Sequence, residues 1–173
     1  MPGFERPDLL QLFPSFVWRG QLKPEEYGPL NTGLMRALTD IGAPLEGLAP
    51  GENWQSDHDL HMRRDLRPFA EWIHAAADNL LDYLKVASKD VAITGCWANV
   101  NAPGTPHRLH SHRNNFLSGA YYVQTLVGAD TINFFDPRAQ AGVIRPPVTG
   151  ATAENTEMAV LKVGDGTLLL FPA

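Results

Sequence analysis

The sequence predicts an α+β fold, mainly β, in which antiparallel sheets close into a sandwich or barrel and N-terminal helices buttress one side. Three observations carry this. Fifteen glycines and fourteen prolines in 173 residues mark many turns. The second half breaks into short apolar or alternating segments separated by turn residues. Two segments of the first half repeat apolar residues at helical spacing. The length suits a single domain over residues 1–173, with a helical buttress over 1–90 and a β core over 91–173.

Composition narrows the function classes. Hydrophobic residues make up 44% of the chain and charged residues 19%, as in ordinary globular proteins, and the formal net charge is -5. That balance lacks the basic footprint that neutralising phosphates requires, so no nucleic-acid partner is expected. No run approaches the roughly 20 apolar residues of a spanning helix, and the first twelve residues lack a basic start followed by an apolar stretch. Cys96 is the only cysteine and has no partner for an intramolecular disulfide. A cytoplasmic protein with no membrane partner is the expectation.

Taken in order, residues 9–17 form an apolar run broken by Pro14, and Phe16-Val17-Trp18 reads as an edge strand, where a missing N–H is tolerated. Pro24 opens a helix with Glu25 and Glu26 at its positive end. Tyr27, Leu30, Leu34 and Leu38 then follow at helical spacing, and the helix is expected to end near Asp40 despite Gly28-Pro29 and Gly33. Residues 41–53 read as a loop. Residues 54–61 carry Asp57, His58, Asp59 and His61. Adjacent side chains diverge on any regular backbone, which argues against a shared metal and for a solvated loop, or a segment folded over a site. Asp65 is a candidate cap for the next helix, whose stripe is Phe69, Trp72, Ile73, Ala76, Leu80 and Leu84.

From residue 91 the period changes to two. Val91, Ile93, Gly95, Trp97, Asn99 and Asn101 fall on one face, apolar at its start and amide-bearing at its end. Asn99 and Asn101 either donate and accept at a small-molecule site or simply end the strand at Ala102-Pro103-Gly104. Residues 116–124 and 130–135 are two more strands, the latter ended by the turn Asp136-Pro137-Arg138. A long loop occupies 139–155. Residues 157–163 and 167–171 flank Gly164-Asp165-Gly166 and read as a β-hairpin, since Asp-Gly supplies the positive φ angles of a tight turn.

Three of the six histidines, His107, His110 and His112, lie within six consecutive positions between two of these strands. On an extended segment residues two apart project to one side, so His110 and His112 can converge on one metal ion. Neutral imidazole suits iron, zinc, copper and nickel, and a facial three-ligand set leaves positions open for a cosubstrate and O2. His107 converges only if the chain turns. Asp136 reads first as a turn residue, Arg138 and Arg145 as exposed loop arginines, and Cys96 as a small buried hydrophobe.

The motifs around the pair extend this reading. Trp97-x-Asn99, Gly104, His107, His110-x-His112, Leu117-Ser118-Gly119-Ala120-Tyr121-Tyr122-Val123, Phe135-Asp136-Pro137-Arg138 and Gly166-Thr167-Leu168-Leu169-Leu170-Phe171-Pro172 occur in that order over about the last half of the chain. The series resembles the 2-oxoglutarate and iron(II)-dependent dioxygenases, relatives of the prolyl hydroxylases. The resemblance implies a double-stranded β-helix (jelly-roll) core and Fe(II) and 2-oxoglutarate as cofactors. It implies that His110 and His112 stand where such enzymes carry His-x-Asp/Glu, so a histidine replaces the usual carboxylate. It implies that Tyr122 hydrogen-bonds the distal carboxylate of 2-oxoglutarate and that Asn99 contacts the cosubstrate. A further metal histidine and a carboxylate-binding arginine follow the last strand in such proteins. Both are therefore expected beyond Ala173, with the β core incomplete over 91–173.

The expected activity is hydroxylation of a small-molecule or peptide substrate, with no catalytic residue assigned beyond the ligands and homodimerisation left open. The missing carboxylate motivates a second reading, a cupin-like three-histidine metalloenzyme independent of 2-oxoglutarate. A third is a non-catalytic jelly-roll binding protein with histidines at its rim.

Overall fold

A computed structural model describes residues 3, 8, 10–87, 90–138, 143, 144 and 146–173. Its elements follow one another as β1 (Trp18–Gln21), α1 (Pro24–Asp40), β2 (Asn53–Gln55), two single 3₁₀ turns (Leu60–Met62 and Arg64–Leu66), α2 (Arg67–Tyr83), β3 (Asn99–Asn101), β4 (Leu117–Tyr121), β5 (Thr131–Phe135), β6 (Met158–Lys162) and β7 (Thr167–Pro172). The mixed helix-and-sheet class is as expected. Its helical share exceeds a mainly-β reading, because each helix is 17 residues long while the strands are three to six.

All strand pairing among the described residues is antiparallel, in a three-stranded sheet ordered β1-β7-β4 and two ribbons, β2-β3 and β5-β6. Strand β7 is the centre of the larger sheet. Trp18 lies opposite Leu170, and Gly119 lies opposite the same residue from the other side. The edge strand expected at 16–18 is therefore real but begins at Trp18. Phe16 instead packs into the core beside Trp18.

The two helices cover one face of this sheet. Along β7, Leu168 and Leu170 alternate toward α2, where they meet Ala76 and Leu80. The adjoining core joins Leu34 and Ala37 of α1 to Leu60 and Leu66 of the 3₁₀ turns. Fully burying a leucine stabilises a fold by about 1.5–3 kcal/mol, so the four nearly inaccessible leucines Leu80, Leu81, Leu168 and Leu169 dominate the fold. Tyr121 of β4 joins the two cores by packing edge-on to Trp72 at 5.4 Å and obliquely on Phe69 at 5.1 Å. Its hydroxyl donates to Asn31 Oδ1 at 2.6 Å, and Asn31 Nδ2 donates to the Val123 carbonyl at 2.7 Å. On the opposite face of β7, Phe171 meets Phe134 of β5 at 4.9 Å.

Helix α1 runs through Pro29 to Asp40, as expected; the Glu25 carbonyl that Pro29 deprives of a partner belongs to an exposed residue and can turn to water. Two local expectations are corrected. Asp65 does not cap α2, whose N-cap is Leu66, because its carboxylate is held by the Arg63 fork at 2.6 and 3.0 Å. The segments 157–163 and 167–171 do not form a hairpin with each other. Strand β6 pairs with β5 and β7 with β1 and β4, so Gly164-Asp165-Gly166 carries the chain from one sheet to another. The reason lies in what the turn binds. Gly166 N–H donates to the Tyr122 carbonyl at 2.8 Å, and Asp165 Oδ1 accepts from both N–H and Oγ1 of Thr125. Those bonds draw the turn to the continuation of β4.

Candidate functional site

The histidine segment lies between β3 and β4 and has no regular backbone pairing. The chain leaves β3 through Ala102-Pro103-Gly104, where Gly104 takes φ +77, and re-enters the sheet at Leu117. Within it the side chains are nevertheless ordered toward one another. His110 Nε2 and His112 Nε2 lie 3.0 Å apart with their rings edge to face. His110 Nδ1 is 2.8 Å from the Arg108 carbonyl, which can only accept. Nδ1 therefore carries the proton, and Nε2 presents a lone pair toward His112.

This arrangement fits a metal ion. Two imidazole nitrogens bound cis at about 2.1 Å, at right angles, stand about 3.0 Å apart. A ligating histidine commonly donates its other ring N–H to a carbonyl or carboxylate, as His110 does to Arg108. Burial holds the half-buried His112 imidazole below the usual histidine range, followed by the charges of His110, His107 and His58 when those protonate. A neutral imidazole is the ligating form. His107 comes ring to ring with His110 at 4.9 Å. Among the described residues, however, no three His, Cys, Asp or Glu side chains assemble as a ligand set.

Residues 54–61 reach this patch. The ring of His58 stacks on Trp97 at 4.4 Å and 23°, and Trp97 in turn lies 5.3 Å from the ring of His112. Gln55 Nε2 is 2.8 Å from His58 Nε2. Asp57, His58 and Asp59 are exposed, as the loop reading expects, and Asp59 bridges to Cys96. The sequence reads this segment as a solvated loop or as one folded over a site; the link from His58 through Trp97 to His112 is the pairing that neither reading specifies.

Asn99 and Tyr122 are placed differently. Asn99 sits on β3 opposite Gln55 of β2, and both residues are exposed while Trp54 and Val100 turn inward. The alternation expected from Val91 holds as far as Gly95, then slips over 96–98, so the strand proper is only Asn99–Asn101. Tyr122 follows β4; its N–H donates to the Thr167 carbonyl and its own carbonyl accepts from the Gly166 N–H. Alternation sends its side chain to the face opposite Tyr121. Burial pushes its hydroxyl up to about 12, so it is a protonated donor throughout the physiological range.

The remaining candidates are accounted for by their surroundings. Arg138 grips Asp136 through Nε at 2.9 Å and Nη2 at 2.6 Å, and this lowers the Asp136 carboxyl to about 2. Each thus satisfies the other. Cys96 is half-buried against the Leu34 core, and burial raises its thiol, which keeps it in the unreactive form. Arg145 lies outside the described residues. Two open clefts, of about 490 and 360 Å³, meet at Tyr27 and Asp165 rather than at the histidines. Among the described residues no helix is long and apolar enough to cross a membrane.

Residues 95–173 match the family model described as putative 2OG-Fe(II) oxygenase, the family that the motifs around the histidines resemble. The matched segment begins beside Trp97 and contains Asn99, His110, His112 and Tyr122. No curated protein matches the chain.

Proposed function

We propose, from the match of residues 95–173 to the 2OG-Fe(II) oxygenases, that the protein is an iron(II)- and 2-oxoglutarate-dependent dioxygenase that hydroxylates a small-molecule or peptide substrate. The observation that carries the reading is the 3.0 Å approach of His110 Nε2 to His112 Nε2, with the first ring fixed by the Arg108 carbonyl. Under this proposal the two imidazoles hold iron, which with 2-oxoglutarate supplies O2 activation when bound.

The rest of the work falls to this chain's own groups. Burial favours the neutral form of the His112 imidazole, and the Arg108 carbonyl holds the His110 ring with Nε2 turned toward the same point. The Tyr122 hydroxyl, raised to about 12, donates a hydrogen bond to the distal carboxylate of the cosubstrate without losing its proton to it. The Asn99 carboxamide offers a second neutral donor beside Gln55. A facial set takes one more protein ligand, which no described residue supplies. The crossover of residues 163–167 between sheets and the meeting of Phe171 with Phe134 support a double-stranded β-helix for the core.

Anaerobic titration of the protein with iron(II) and then 2-oxoglutarate tests the reading. A weak visible charge-transfer band is expected, lost in the His110→Ala, His112→Ala double variant; absence of the band from the unmodified protein overturns it. The 2-oxoglutarate-independent three-histidine reading instead expects O2 uptake that ignores the cosubstrate.

A further inference from the structure

The two histidines are held in place by different means. His110 is tethered through Nδ1 to a carbonyl, whereas among the described residues His112 makes no hydrogen bond besides its approach to His110. What fixes the His112 ring is packing. His110 stands edge-on to one side of it, and Trp97 lies obliquely against it at 5.3 Å and 36°.

Trp97 is itself braced. The His58 ring stacks on it nearly parallel, Gln55 holds His58 Nε2, and the backbone N–H of Cys96 donates to the His58 carbonyl at 2.9 Å. Gln55 in turn is anchored by the β2-β3 pairing opposite Asn99. The brace comes from residues 53–58, which precede the segment 95–173 that matches the family, so it belongs to this chain's own N-terminal half.

We propose that Trp97 is the positioning residue for His112: clamped by His58, its indole holds the imidazole with Nε2 directed at the point His110 also faces, and so sets metal affinity. This rests on the reading of His110 and His112 as a metal pair. Loss of groups that orient a metal ligand costs about 10–100-fold in affinity, and the stack takes the place of the second hydrogen bond that such a ligand ordinarily makes.

Cobalt(II) serves as the probe on the full chain, read by its visible d–d bands and by quenching of tryptophan fluorescence. The unmodified protein is expected to show both. Trp97→Ala should weaken cobalt binding by about tenfold or more and alter the band shape, while Trp97→Phe, which keeps a ring against His112, should stay within about threefold. His58 is exposed, so its replacement leaves the fold intact. His58→Ala should weaken binding and His58→Phe restore it, a rescue that a merely structural role would not produce. The inference is overturned if Trp97→Ala melts like the parent and binds cobalt with the parent's affinity and spectrum, or if His58→Phe fails to rescue His58→Ala. An unmodified protein that binds no cobalt overturns the metal reading itself, and this inference with it.

Discussion

Strand β7 and the histidine-bearing segment 107–112 hold their side chains in place by opposite means. In β7, Thr167, Leu168, Leu169 and Leu170 are all buried, the strand pairs on both sides, and these four side chains are confined by their neighbours. In 107–112 five of the six residues are exposed, the backbone pairs with nothing regular, and order comes from ring contacts and a single side-chain-to-carbonyl bond. The first region is specified by burial, which is cooperative and dominates stability. The second is specified by local chemistry, and under the proposed function a change there is expected to cost metal binding without costing the fold.

That contrast breaks first if the strand proves tolerant. Leu168 and Leu80 touch each other's cluster and are 1% exposed, so Leu168→Ala leaves a cavity between sheet and helix. A loss of about 2–5 kcal/mol is expected in urea unfolding. A loss below about 1 kcal/mol would mean the core repacks freely and that β7 is no firmer than the loop.

The start of the same strand gives a smaller, sharper effect. Gly166 has φ +78, and a Cβ there would lie 2.5–2.8 Å from carbons of the Tyr27 side chain, including its own Cβ, which cannot swing away. Gly166→Ala is expected to cost about 1–3 kcal/mol from backbone strain alone. Combining it with Tyr27→Ala, which keeps the Cβ and removes the ring, should return only the part due to collision with the ring carbons, and a full return would show that neither backbone strain nor the Cβ contact contributes.

On the other side of the comparison, His110→Ala combined with His112→Ala should leave thermal stability within about 0.5 kcal/mol of the parent in metal-free buffer, since His110 is exposed and the segment is unpaired. The same variant should lose iron altogether in metal analysis. A large drop in stability would show that the segment helps build the fold.

Much of this division was legible in the sequence, and the misses have physical causes. Periodicity found α1 to within a residue and the stripe of α2, because burial of one helix face leaves a strong pattern. The His-x-His spacing found the pair that the structure brings to 3.0 Å. The hairpin at 164–166 failed because Asp-Gly reports only that the chain turns; the sheet each arm joins is decided by Thr125, Tyr122 and Gln21, far away in sequence. Asp65 failed as a cap because a fork-shaped arginine two residues away competes for the same carboxylate. The stack of His58 on Trp97 joins residues 39 apart in sequence through a three-residue ribbon, and no local pattern encodes it.

The smallest effect expected is a pH dependence that separates the two regions by shape rather than size. Burial, then the charges of His110, His107 and His58, hold the His112 imidazole below its ordinary value of 6.5. In the unfolded chain this group takes up its proton near 6.5, so between the lowered folded value and 6.5 the unfolded state binds more protons. Stability therefore falls as pH drops through that window and is unaffected by this group above it. Urea midpoints measured downward from about pH 7.5 should show the decline beginning near 6.5. His112→Gln should flatten it, whereas Leu168→Ala should lower the whole curve and leave its slope unchanged. Adding zinc or cobalt should steepen the decline in the parent, because the metal competes with protons for the same lone pairs. The His112→Gln protein should show no such steepening. If Leu168→Ala instead altered the slope, the core and the histidine segment would be coupled, and the separation drawn between them would not hold.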